Sequence, residues 1–282
     1  MNEVEPLLAH LYSVDAREAA DRLVALGAPA VEPLIALLSG QHPTPDWTQF
    51  EGFGAAPDTN AARERAAYIL GDIGDPRAVE PLIAAYARES DRYIRLAAVL
   101  ALGKIGDPRG LPTLTAALDA PAWTPAYARI VDDFARIAGA SAVEPLIRVV
   151  QSAHYTYGGA AHAARALAHL RADLRVLPGL VAALRPDAEI TTVEALIDVL
   201  AETGDPRAGG ALLGFVGALI RLPPERWDDR DENRSETDQG VEFHIFRTYL
   251  QAASGAIRKM GSLEAITALE RLLGSAPGYV AG

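Results

Sequence analysis

Apolar residues along this chain fall at helical spacing in short runs, and the runs come in pairs. The clearest pair lies between Asp91 and Ala120. Ile94, Ala97, Ala98, Leu100, Ala101, Leu102 and Ile105 give its first helix a wide apolar face, and Leu111, Leu114 and Leu118 give its second an apolar stripe. Strand-type alternation is scarce, and Ala and Leu are especially frequent. What separates the runs is a recurring word, seen in full in Ile73-Gly74-Asp75-Pro76-Arg77-Ala78-Val79-Glu80-Pro81-Leu82-Ile83. Gly74 suits the left-handed residue that closes a helix. Asp75 suits the cap of the next helix, and Pro76 stands where a missing N–H costs least. Gly106-Asp107-Pro108-Arg109 and Gly204-Asp205-Pro206-Arg207 repeat the first half of the word. Ala30 to Ile35 and Ala142 to Ile147 repeat the second half.

Prolines near the start of every second helix stand at 33, 81, 112, 145 and 178. After a first gap of 48 they are 31 to 33 residues apart, which is the period of a repeat array. The pattern predicts seven helix pairs: Asp15–Leu38, preceded by a helix over Val4–Tyr12, then Asn60–Ser90, Asp91–Ala120, Thr124–Ser152, Tyr157–Arg185, Asp187–Leu222 and Val241–Ser275. A single pair cannot bury its own apolar stripe, so neighbours must stack into one continuous core. The expected architecture is an all-α right-handed α-solenoid, one domain over residues 1–282, with inserted loops at 40–59 and 223–240.

Asp91 to Pro108, reading Asp-Arg-Tyr-Ile-Arg-Leu-Ala-Ala-Val-Leu-Ala-Leu-Gly-Lys-Ile-Gly-Asp-Pro, resembles the HEAT repeat, in particular the short HEAT-like repeats named after phycobilisome lyases. Asn60 to Ile83 matches nearly as well. The resemblance implies the solenoid, with second helices on its concave side. It does not fix a function, because that repeat family includes scaffolds, adaptors, bilin lyases, an iron-dependent hydroxylase of a modified lysine and DNA glycosylases. The hydroxylase branch uses His-Glu dipeptides as metal ligands, and this chain has none.

Charge and composition narrow the field. The 37 acidic against 26 basic residues leave a net charge of -11, which argues against a nucleic-acid surface and an anionic membrane and favours a basic partner. The absence of cysteine removes disulfides, thiolate nucleophiles and Cys-ligated zinc. No apolar run approaches spanning length and the start of the chain is acidic, so the cytoplasm is the expected compartment. Asp228 to Asn233 superficially resembles a calcium loop but lacks its alternation and central glycine. No metal site and no cofactor are expected.

The candidate binding residues cluster where the repeat is interrupted. Trp47, Trp123 and Trp227 all fall at junctions between pairs, as do Phe50, Phe53, Tyr155 and Tyr157, with Tyr127 close by. Junctions of one class lie along one edge of a solenoid, and aromatic groups there offer contact area at low entropic cost. The same aromatics equally suit staples that hold long loops against the stack. Arg148 belongs with Arg185 and Arg221 to a basic row near second-helix ends, where the helix dipole also favours cations. The second-helix positions Ala36, Ala84, Thr115, Arg148 and Val181 are small or polar in four of five cases, which suits a shallow groove. Residues 223–238 carry seven acids against three arginines, a solvated loop or a dock for a basic segment. The function expected is a non-catalytic scaffold or adaptor for a protein or peptide. The alternative is a bilin-lyase-like or other HEAT-fold enzyme acting on a bound aromatic ligand.

Overall fold

Alanine and leucine at helical spacing, punctuated by capped corners, give a chain that is helical throughout the described residues, with no strand among them. The computed structural model describes residues 3–13, 16–45, 58–120, 126–152, 158–222 and 236–276, with 236–245 described by backbone only. Helix contacts gather into two compact units, Met1–Ala138 and Gly139–Gly282.

The first unit contains α1 (Val4–His10), α2 (Arg17–Leu26), α3 (Ala28–Leu38), α4 (Thr59–Ile73), α5 (Val79–Arg88), α6 (Arg92–Ile105), α7 (Leu111–Asp119) and α8 (Tyr127–Ala138). First helices of successive pairs pack on one another, α2 on α4, α4 on α6 and α6 on α8, while α3 packs on α5 in the second layer. The core follows the predicted faces: Leu34, Leu70, Leu82, Ile94 and Leu102 are buried. Small residues set the closest approach. A Cβ at Gly71 of α4 would stand 2.7 Å from the Cα of Ala101 in α6, so these two helices touch backbone to side-chain stub. At Gly103 of α6 the space a Cβ would need is filled by the Asp133 carboxylate of α8.

The corners are built as their sequence requires. Gly74 and Gly106 close α4 and α6 in the left-handed region, at φ 73° and 74°. Asp75 and Asp107 then adopt extended backbone and accept from the N–H groups of Arg77 and Arg109. A 3-10 turn, Pro76–Ala78 or Pro108–Gly110, intervenes before the second helix begins, a feature the sequence pattern does not predict.

The second unit contains α9 (Val143–Gln151), α10 (Gly159–His169), α11 (Val176–Ala183), α12 (Ile190–Glu202), α13 (Pro206–Ile220), α14 (Glu236–Met260) and α15 (Leu263–Gly274). Its two layers run α10–α12–α14 and α9–α11–α13–α15. Gly179 of α11 faces Ile147 of α9 closely enough that a Cβ would lie 2.7 Å from its side chain. Tyr249 of α14 is buried, edge-on to Phe246 and tilted against Phe215 of α13, and its hydroxyl donates to the Ala188 carbonyl at 3.2 Å. Burial pushes the pKa of that hydroxyl up, and Glu194 and Glu189 add to the effect. Helix α14 begins at Glu236, so the last five residues of the loop expected over 223–240 are helical instead.

Candidate interaction surfaces

Two kinds of surface emerge within each unit: the row along its second helices and the border of its corners. On the second helices Ala36, Ala84 and Thr115 of the first unit are partly exposed. In the second unit Val181 is partly exposed and Arg148 exposed. Thr115 turns its hydroxyl back to the Leu111 carbonyl at 2.8 Å, which satisfies its polar group within the helix. The row therefore reaches solvent in both units, through small side chains in the first and through Val181 and Arg148 in the second.

The border of corners is ionic. In four corners an aspartate grips the arginine two residues on, through its backbone N–H and its guanidinium. Asp75 Oδ1 accepts from Arg77 N at 2.9 Å and Nε at 3.0 Å, while Oδ2 accepts from Nη2 at 2.8 Å. Asp107 and Arg109 repeat this at 2.9, 3.1 and 2.8 Å, and Asp173 and Arg175 at 2.9, 2.9 and 2.7 Å. Asp205 and Arg207 do so at 2.8, 3.1 and 2.6 Å. The Asp173 corner carries neither the glycine nor the proline of the others, so the recurring word does not reveal it; the Asp-x-Arg spacing does.

The free end of the guanidinium reaches back one repeat. Arg77 Nη1 meets Glu32 at 3.3 Å, Arg109 Nη1 meets Glu80 at 3.7 Å, and Arg175 Nη1 meets Glu144 at 3.1 Å. Arg77 and Arg109 also donate to the carbonyls of Ala28 and Pro76 in the previous corner. The two halves of the recurring word, Asp-Pro-Arg and Val-Glu-Pro, are thus two sides of one inter-repeat contact.

These contacts depress the aspartates. Hydrogen bonds from the Arg77 side chain and then its backbone hold the Asp75 carboxyl at about 2, against an ordinary 3.8, and Arg175 does the same for Asp173. A carboxyl lowered in the folded state adds stability above its unfolded value, and that stability is lost as pH falls from near 3.8 through about 2. Asp75→Asn keeps a capping oxygen and removes the charge. We expect it to melt earlier than the parent at neutral pH, with the gap closing in acid across that window and shrinking in high salt, since the corner is exposed. Thermal melts followed by circular dichroism at stepped pH check this; a gap that persists below the window would assign the loss to capping.

Other candidates are placed as follows. Tyr127 is 1% exposed, and its hydroxyl donates to the Leu118 carbonyl at 2.9 Å, so it ties α8 to α7 rather than facing a partner. Its position at the first turn of α8 points it inward, which its place beside a junction did not reveal. Trp47, Phe50, Phe53, Trp123, Tyr155, Tyr157 and Trp227 lie outside the described residues. Asp133 of α8 turns in toward Gly103 and accepts from Arg136 at 2.9 Å, which places it in the packing of α8 on α6. Among the described residues no group of three or more His, Asp or Glu side chains is placed to hold a metal ion, and no helix is long and apolar enough to cross a membrane.

A family model agrees with the repeat architecture over part of the chain. Residues 55–130, covering α4 to the start of α8, match the family model described as HEAT repeats. The complex of CpcE and CpcF of phycocyanin lyase from Nostoc sp. PCC7120 is similar at 23% identity, with a TM-score of 0.43, over 87% of this chain and 94% of that one. Human deoxyhypusine hydroxylase in complex with glycerol is similar at 17% identity and a TM-score of 0.33, over 96% and 95% of the two chains. No curated protein matches the chain significantly.

Proposed function

We propose that this HEAT-repeat chain is a non-catalytic scaffold that holds a protein or peptide partner along its second helices and its aromatic junctions. The observation that supports this reading most is the row of small, solvent-reaching positions on the second helices, Ala36, Ala84 and Thr115 in one unit and Val181 beside Arg148 in the other. Such a row lets a chain lie close to the helix backbones, and the flanking arginine adds a charged contact. The ionic groups at the corners tie repeat to repeat within each unit, which supports a pre-ordered surface and a lower entropy cost of binding.

The net charge of -11 favours a partner with basic groups, drawn in by long-range attraction, and the acidic residues of 225–238 are the segment that such groups would meet. The cytoplasm is the compartment we assign. Trp47, Trp123 and Trp227 serve as junction anchors in this reading.

The test is affinity capture with parent and single Trp47→Ala, Trp123→Ala and Trp227→Ala proteins, each melted in parallel. At least one is expected to weaken capture about 10-fold or more, as loss of a buried aromatic anchor does, with little change in melting. Capture unchanged with melting lowered in all three would make the tryptophans loop staples and remove them from the binding surface.

A further inference from the structure

One corner of the ionic border is incomplete. Arg207 grips Asp205 as the other three arginines grip theirs, but among the described residues no second carboxylate meets it. The position that supplies Glu32, Glu80 and Glu144 in the complete contacts, the residue between Val and Pro at the start of the second helix, is Leu177 here. Accordingly Arg207 is 68% exposed, against 47%, 50% and 51% for Arg77, Arg109 and Arg175. The same leucine substitution occurs at Leu111, but the corner that follows it in sequence, Gly139-Ala140-Ser141-Ala142, has no arginine. Only at Arg207 is the arginine kept and the glutamate replaced.

The gap is an open pocket. Arg171, Asp173, Leu174, Leu177, Asp205 and Arg207 line a space of about 260 Å³ between the two corners. Arg171 stands where the earlier corners carry Ile73 and Ile105, so the pocket has a second guanidinium. Leu174, at 83% exposure, and Leu177 form its apolar wall. Both carboxylates in the lining are engaged by their own arginines, Asp173 by Arg175 and Asp205 by Arg207. In each complete contact one arginine sits between an aspartate and a glutamate, so the arrangement accommodates one further negative charge of carboxylate geometry.

We propose that this pocket docks a glutamate side chain of a partner polypeptide, its carboxylate taking Arg207 Nη1 and its apolar neighbour resting on Leu174 and Leu177. The partner supplies in trans what Glu32, Glu80 and Glu144 supply in cis. The inference rests on the reading of the chain as a polypeptide-binding scaffold and names one contact of that surface. A local acidic contact is compatible with an overall basic partner, because the pocket is read at contact distance and the net charge at long range.

The experiment is a titration of the 15N-labelled full chain, observing the arginine Nε–H signals, with a capped Val-Glu-Pro-Leu peptide, its Val-Gln-Pro-Leu counterpart and inorganic phosphate. The Glu peptide is expected to shift the Arg207 signal saturably, with a dissociation constant on the order of 1 mM for so short a ligand, and the Gln peptide to bind about 10-fold more weakly. Leu177→Glu, which fills the gap from within, is expected to abolish the shift while melting no lower than the parent; Arg207→Gln is expected to abolish peptide binding and decides the matter should Leu177→Glu fold poorly. A shift absent with the Glu peptide, equal with the Gln peptide, or stronger with phosphate overturns the proposal, as does an Arg207 shift that survives Leu177→Glu or, in Arg207→Gln, a saturable shift of the Arg171 Nε–H or the Leu174 and Leu177 amide signals. The titration reads this pocket alone, and the capture experiment reads the whole surface, so failure of one is distinguishable from failure of the other.

Discussion

Gly71→Val is expected to destabilise the Met1–Ala138 unit by about 3 kcal/mol, the upper part of the range for overpacked cores. The new Cβ would lie 2.7 Å from the Ala101 Cα and 2.9 Å from its Cβ. A flexible side chain in that place would rotate away. A helix backbone cannot, so α4 and α6 must separate along the face that also carries Ala66, Ala67, Ala97 and Ala98, all fully buried. Each of those contacts loosens when the axes part. Gly255→Ala is the matching control. It sits in α14 with open space around its Cβ, and removing a helical glycine there is expected to raise stability by about 0.5–1 kcal/mol. Chemical denaturation gives the size of the effect, and amide exchange in α4 and α6 locates it. Protection in those helices equal to the parent's would show that the two backbones are not in contact.

Leu70→Ala, one position earlier, should do comparable damage for the opposite reason. Leu70 is fully buried in the core of the same unit. Truncation forfeits its transfer free energy and leaves a cavity, for an expected loss of about 3 kcal/mol. Leu263→Ala, at 79% exposure, removes the same atoms from water-facing surface and should stay within about 0.5 kcal/mol of the parent. Equal losses at the two leucines would mean that the apolar face of α4 is not turned inward. Because Leu70 and Gly71 share one helix and one interface, the double variant is not expected to show the sum of the single effects.

The corners were the most legible part of the sequence. Glycine, aspartate and proline each act within a residue or two, so the ends of α4 and α6 at Ile73 and Ile105 follow from local chemistry alone. The apolar faces were legible too, since Ile94, Ala97, Ala98, Ala101 and Leu102 are all buried as their spacing implies. Inter-repeat contacts were not. Arg77 meets Glu32 across 45 residues, and only the register of the stack brings them together. The start of α14 was missed because its first turn, Glu236 to Gly240, is polar, and a helix turn without an apolar stripe reads as loop. For the candidate surface the residue types were readable and their facing was not. Tyr127 shows the difference: an aromatic beside a junction points outward or inward according to a fraction of a helical turn, and here it points in.

The arginine at each complete corner reaches back to the glutamate of the preceding repeat and no further. Such a bond carries its own rule for growth. A segment duplicated in tandem would arrive with a donor for the copy before it and an acceptor for the copy after it, so chains of this kind can lengthen by whole repeats without inventing a new joint. Where a copy lacks the acidic half, as at Leu177, the array keeps its length and leaves that arginine's outer face open to another carboxylate.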